Sequence, residues 1–235
     1  MNTKDQKKLY RKIRSRDIGI SHACEVGVYL PQTSNIIDFI KEGVRASLVE
    51  ADPETVKILI DYFKSYSVKI FPVAVWSAAG TVRLSRAAAS TFVSEIQSSP
   101  AIVNDKYKVS LDNSFEVKCV VFSEIDEGDI DLLSIDIEGG EWNVIKFMKS
   151  RPKVISVETH GKYYTNPFIK EINQWMTENL YIIWYQDASD TVFAKKGIVE
   201  PSLIDLLETS LAKAKIYWKK FKRLFKKNSN TLRAK

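Results

Sequence analysis

Residues Asp131–Trp142 read DLLSIDIEGGEW, and this stretch decides the fold. Asp131–Ile137 is a short apolar run that ends on turn-forming residues, which marks a buried strand. Asp136 and Glu138 then stand at the carboxyl end of that strand, followed by Gly139-Gly140 and a third acid, Glu141. Carboxylates clustered at a buried strand end are costly unless they bind something or hold a proton for transfer. Asp136 points into a crevice if Ile135 and Ile137 face the core. Glu141 has a plainer reading, as an acid complementing the dipole at the start of the next helix.

Working outward, strands and helices alternate on both sides of this segment. Ile18–Tyr29 reads as a strand ending at a glycine, Thr33–Lys41 as a helix and Arg45–Glu50 as a second strand. Pro53 opens a helix carrying Val56, Leu59 and Phe63, and Val68–Val75 is a third strand. This β-α-β-α-β rhythm argues for parallel strands with crossover helices. Residues 77–125 break it: Gly80–Leu84, Lys106–Leu111 and Val117–Phe122 read as short strands of an inserted region. After Asp131–Ile137 come a helix over Glu141–Met148, a strand over Val154–Glu158 and a helix over Phe168–Asn179. Tyr181–Tyr185 and Thr191–Ala194 are consecutive strands joined by a polar turn. The chain divides into a basic segment (1–17), an α/β domain (18–198, with the insertion at 77–125) and a basic tail (199–235).

The 235 residues suffice for one α/β domain with a real core. Cys24 and Cys119 are far apart and lack metal-type spacing, so they read as buried thiols in a reducing compartment. No apolar run is long enough to span a bilayer, and the charged first residues lack the apolar stretch of a secretory signal. The expected compartment is the cytoplasm. Residues 1–16 carry seven Lys/Arg and one Asp, and residues 211–235 carry ten Lys/Arg and no acid. The remainder is acidic by ten charges, so the ends, not the body, meet an anionic partner, and the body is not expected to attract nucleic acid.

The other strand ends carry chemistry of their own. Glu25-Val26-Gly27-Val28-Tyr29 offers a glycine that lets the backbone approach a ligand, with an acid that can accept from a ligand amino group. A tight structural turn explains the same residues. The missing G-x-G-x-x-G argues against a dinucleotide. Glu50-Ala51-Asp52 places a carboxylate where it can take two ribose hydroxyls, although Asp52 also reads as a helix N-cap with Glu50 solvated. Ala74 and Val75 are small and apolar enough to pack on a nucleobase, with Trp76 at the rim or in the core.

These motifs together resemble the FkbM-type methyltransferases. The resemblance rests on DLLSIDIEGGE, CEVGVYLPQ, LVEADP, VAVWSAAG and VISVETH, and covers roughly residues 20–195. It implies a Rossmann-like class I methyltransferase with a seven-stranded, mostly parallel sheet and an antiparallel last strand. It also implies an S-adenosylmethionine-dependent O-methyltransferase acting on hydroxyls of sugars or similar acceptors. Glu25, Gly27, Tyr29, Glu50, Ala51, Ala74, Val75 and Asp136 are then the cofactor-binding residues. The family pattern D-V-G-A-N-x-G is altered here, with Glu25 for the acid and Pro31 at the second glycine. A non-catalytic binding protein on the same fold is the alternative function.

For methyl transfer to a hydroxyl, a base near the acceptor oxygen should take its proton. His160, after Glu158 at the end of the fifth strand, is the preferred base; Asp136, Glu138 and Glu158 compete with it. His22 lies early in the first strand and reads as structural. Three acids near one histidine also have the composition of a divalent-metal site, but carboxylates serve equally to bind sugar hydroxyls, and no metal ligand is assigned. The tail is expected to be a basic amphipathic helix. Leu203, Leu207, Leu211, Ala214, Trp218, Phe221 and Phe225 fall on one stripe, with lysines over most of the rest. That pattern suits an anionic membrane surface, which would make the protein peripheral on the inner face of a membrane. Docking on the body, pairing in a homodimer, nucleic-acid binding by the tail and a solvated tail are the alternatives.

Overall fold

The computed structural model describes residues 5–87, 90–96 and 98–232; the side chains of 105, 111, 219, 220 and 223–232 lie outside that description. The first strands are β1 (His22–Val26), β2 (Arg45–Val49) and β3 (Val68–Phe71). The inserted region holds β4 (Ala74–Val75), β5 (Gly80–Ala87), β6 (Ser90–Val93) and β7 (Ser114–Val120). Then come β8 (Leu132–Ile135), β9 (Val154–Glu158), β10 (Tyr181–Gln186) and β11 (Asp190–Lys195). Seven of these form one sheet in the order β3-β2-β1-β8-β9-β11-β10. The pairs from β3 to β9 are parallel, and β11 runs antiparallel to both β9 and β10. This is the Rossmann-like class I methyltransferase arrangement that the sequence implied.

The sheet is buried on both faces, which is why its strands read as nearly continuous apolar runs. Ala23, Leu48, Leu132, Val154 and Val192 face one layer, containing α1 (Lys8–Arg14), α2 (Ile37–Lys41) and α3 (Pro53–Phe63). Cys24, Val26, Leu133, Ile135, Ile155 and Phe193 face the other. That second layer includes residues of α5 (Trp142–Ile145) and α6 (Ile169–Glu178). Between them α4 (Pro100–Asp105) belongs to the insertion. Asp52 caps α3, its Oδ1 accepting from the Glu54 N–H at 2.9 Å, with Pro53 at the first helical position.

Several element boundaries differ from the sequence expectation. The strand expected over Val68–Val75 is two: β3 stops at Phe71, and Ala74–Val75 leaves the main sheet to pair in parallel with β7. Pro72 between them has no N–H to continue a ladder. The helix expected over Thr33–Lys41 begins only at Ile37, because Ser34 and the Asn35 N–H are turned onto the Glu25 carboxylate. Lys106–Leu111 is not a strand; Lys106 takes the left-handed cap position of α4, and the strand of this region is β7. The second sheet, β4-β7-β5-β6, covers the carboxyl edge of the first.

The basic tail forms α7 (Leu203–Leu232), whose first turns pack against β10. Asp205 is buried there and ion-paired with Lys12 and Arg16 of the N-terminal segment; against the effect of burial, the hydrogen bonds from Lys12 and Ser202 hold its carboxyl below the usual range. Thr209 is buried on the same side, whereas Leu203, Leu207, Leu211 and Trp218 are 59–79% exposed. The stripe seen in the sequence therefore faces away from the body as far as Phe221, with Phe225 outside the described side chains.

Candidate active site

Register places one row of residues along the carboxyl edge of the sheet. Val49, Val26, Ile135 and Val157 are partners across β2, β1, β8 and β9. One residue further stand Glu50, Gly27, Asp136 and Glu158, and Glu158 is paired with Asp190 of β11. The ladder carries into this row: the Gly27 N–H donates to the Val49 carbonyl and the Asp136 N–H to the Val26 carbonyl, each at 2.9 Å. Five adjacent strands thus end on four acids and one glycine. Chain order reverses between β1 and β8, so the row lies at the switch point where ligands of open α/β sheets bind.

Gly27 is required by close approach. Its φ is +86°, and a Cβ there would lie 1.8 Å from the Asp136 carbonyl oxygen. The loops after β1 and β8 are therefore packed backbone on backbone, beneath a cavity of about 380 Å³. Six carboxylates line that cavity: Glu25, Glu50, Asp136, Glu138, Asp187 and Asp190. Among the described residues no Lys, Arg or His does. Ala51, Ala74-Val75-Trp76 and Tyr29 also line it, as do Leu84 and Ser90–Val93 of the second sheet.

Each acid is held in its own way. Glu25 is buried; its Oε2 accepts from the Ser34 hydroxyl and its Oε1 from the Asn35 N–H at 2.8 Å. The Glu50 carboxylate accepts from the Val28 N–H at 3.1 Å and the Asp52 N–H at 2.7 Å. Burial outweighs these donors and pushes both up to about 7. Burial together with the charges of Glu138, Asp190, Glu141 and Glu25 raises Asp136 well above its ordinary value. Asp190, which accepts from Ser156 and Ser189, is pushed up to about 6 by burial and by Asp187.

The model of the methyltransferase FkbM domain matches residues 25–183. The chain belongs to that family. Among solved structures it is similar to the methyltransferase domain of bacterial-CtHen1-CN, at 9% identity over 80% of this chain and 97% of that one (TM-score 0.45). It is also similar to a putative caffeoyl-CoA O-methyltransferase from Staphylococcus aureus, at 11% identity over 80% and 81% (TM-score 0.44). A third is the N-methyltransferase NodS from Bradyrhizobium japonicum WM9, at 10% identity over 79% and 89% (TM-score 0.39). No curated protein sequence matches the chain. As an FkbM methyltransferase with this sheet, the protein has S-adenosylmethionine as the typical cofactor of its family and fold.

Of the residues singled out in the sequence, Glu25, Gly27, Tyr29, Glu50, Ala51, Ala74, Val75, Asp136 and Glu138 line this cavity. His160 is not among the residues that line it. It is buried, its Nε2 is 3.0 Å from the Asp187 carbonyl and its Nδ1 is 2.8 Å from the Thr159 hydroxyl. A carbonyl only accepts, so Nε2 carries a proton, and in the neutral ring Nδ1 accepts from Thr159. The ring thereby fastens the end of β9 to the β10–β11 turn. Glu158 is buried behind the cavity rather than on its wall. Glu141 supports its own turn: its Oε1 accepts from the Ile137 and Gly139 N–H groups, each at 3.0 Å, and its Oε2 from Asn166. His22 bonds Asp129 and Ser47 at the far edge of the sheet.

Sequence reasoning missed two walls, Ser90–Val93 and the β10–β11 turn with Asp187, Ser189 and Asp190. The turn was recognisable as polar and acidic. Its place became visible only once β11 was seen to lie beside β9. Nothing in the small-residue stretch around Ser90 announces a cavity lid.

Proposed function

We propose that the protein is an S-adenosylmethionine-dependent O-methyltransferase that methylates a hydroxyl of a sugar, glycan or similar acceptor at an anionic membrane surface. The observation that carries the cofactor reading is the charge of the cavity. Six carboxylates and no described base favour a ligand bearing a sulfonium and an ammonium, and disfavour a pyrophosphate. Glu50 retains acceptor capacity for ribose hydroxyls on the oxygens that Val28 and Asp52 orient. Glu25 is placed for the amino group, Gly27 lets the ligand approach the backbone, and Ala74, Val75 and Trp76 offer an apolar face to the base. Bound there, the cofactor supplies a methyl group activated by its positive sulfur.

The opposite half of the cavity suits a hydroxylated acceptor. Asp187, Ser189 and Asp190 line it, and Asp136 with Glu138 stands between the halves. A carboxylate accepting the acceptor's O–H orients its oxygen and receives the proton as the new bond forms. Asp136 and Glu138 are the candidates, since both reach the cavity and His160 does not. Intact-mass screening of free and lipid-linked glycans tests this reading. A one-methyl gain that needs S-adenosylmethionine is expected, and its absence across hydroxylated acceptors favours the non-catalytic alternative.

Support for the membrane comes from α7. Leu203, Leu207, Leu211 and Trp218 are exposed, Lys213, Lys215 and Lys222 are exposed on the same helix, and Lys222 lies 3.5 Å over the Trp218 ring. Apolar groups for the acyl boundary and lysines for anionic headgroups are what an interfacial helix needs. No described helix is long and apolar enough to cross a membrane. Full-length protein should float with phosphatidylserine-containing vesicles, and removal of residues 213–235 should abolish this. Equal flotation of the truncated chain would refute the role of the lysine-rich end of α7, residues 213–232.

A further inference from the structure

Asp136 at the cavity floor and Glu141 and Glu158 behind it each present a carboxylate oxygen, and the three oxygens lie within 4.8 Å of one another. None of the three forms an ion pair among the described residues. Glu158 is 8% exposed, and its Oε2 is buried without a hydrogen-bond partner. Independently, Tyr164 is fully buried beside the same acids, and its hydroxyl also has no partner. Buried polar atoms are nearly always satisfied, so two orphaned oxygens at one cluster of acids call for a common partner. That partner must be positive, because three carboxylates this close repel one another. It must also be small, because the site is buried.

We propose that Asp136, Glu141 and Glu158 bind one divalent cation of the Mg²⁺, Mn²⁺ or Ca²⁺ class, with the Tyr164 hydroxyl beside it. The donors are all oxygen, which selects hard cations over zinc or copper. Glu141 is preorganised for this, since the Ile137 and Gly139 N–H groups and Asn166 already fix its carboxylate. Without a cation, three carboxylates this close relieve their repulsion only by sharing protons. Asp136 alone of the three lines the cavity, so an ion held by the three would be linked to the cavity through Asp136. A cation there would lower the pKa of the acceptor's hydroxyl and leave Glu138 to take its proton. This last role rests on the methyl-transfer reading; binding of the ion does not.

The test is therefore made without S-adenosylmethionine. Full-length protein stripped with chelator is titrated with Mn²⁺, read by the loss of the free-ion paramagnetic resonance signal and by the melting temperature. One saturable site per chain is expected, with a Kd on the order of 100 µM or tighter, and Mn²⁺ should raise the melting temperature. Glu158→Gln and Asp136→Asn should each weaken binding at least tenfold, and the thermal shift should shrink with it. Asp136→Asn, on the cavity side, serves as the second variant should Glu158→Gln fold poorly. No saturable Mn²⁺ binding to the wild type would overturn the proposal in favour of shared protons. So would a folded variant that binds as tightly as the wild type.

Discussion

Gly27→Ala should destroy both the fold's central junction and cofactor binding. Its added Cβ would meet the Asp136 carbonyl at 1.8 Å, against backbone that cannot swing aside as a side chain could. The residue also sits at φ +86°, where an L side chain costs about 1–2 kcal/mol. Overpacking of this kind adds about 1–3 kcal/mol, so a total on the order of 2–5 kcal/mol is expected. That is a large share of a domain's usual net stability. Chemical denaturation should show the loss, and any folded fraction should bind no S-adenosylmethionine. The control is Gly43→Ala. It shares a positive φ of +94° but has no atom within 4 Å of the added Cβ, so it should lose only the smaller conformational part. Equal losses at the two glycines would show that close packing of the β1 and β8 loops is not what Gly27 serves.

Glu50→Gln should weaken S-adenosylmethionine and S-adenosylhomocysteine binding by roughly ten- to a hundredfold, the worth of hydrogen bonds to a charged group. Both oxygens of Glu50 accept from backbone N–H groups, and an amide can accept on only one, so the variant is misoriented as well as uncharged. The pH dependence follows from the same carboxylate. Glu25 and Glu50 are raised from 4.5 to about 7 by burial, so the folded, ligand-free protein holds protons there that the unfolded chain has released. Their contribution to stability is fully present below the unfolded value and is lost as pH rises through about 7. The empty protein should therefore melt lower at pH 8 than at pH 5. A ligand that needs these groups ionised binds more tightly over the same interval, by about tenfold between pH 6 and 8 for one such group. In Glu50→Gln the dependence should flatten. An affinity unchanged by the substitution would remove Glu50 from the cofactor site.

The parts of this fold that were legible in the sequence are those where burial writes a pattern. Runs such as Leu132–Ile135 and Val154–Glu158 are apolar because both faces of the sheet are covered, and their ends are marked by acids and glycine. These strand ends also gave the cavity's floor, since register alone aligns Glu50, Gly27 and Asp136. What could not be read was set by tertiary context. Pro72 diverted Ala74–Val75 into a second sheet, although the residues on both sides favour one strand. His160 has the right type and place in the chain for a base, yet its ring is turned onto the β10–β11 turn, a direction that no local pattern encodes. In the sequence Glu141 reads as an acid at a helix start and Glu158 as a rival base, and nothing there joins either to Asp136. Only packing separates the acid that meets the cavity from the two that meet each other behind it.

The central claim is that the acidic cavity at the β1–β8 switch point binds the sulfonium cofactor. Calorimetric titration of the full-length protein at pH 8 with S-adenosylmethionine, and in parallel with S-adenosylhomocysteine, tests it most directly. One site per chain with a Kd on the order of 1–100 µM is expected for both, within the usual range for enzyme ligands. Absence of binding to either compound would contradict the account.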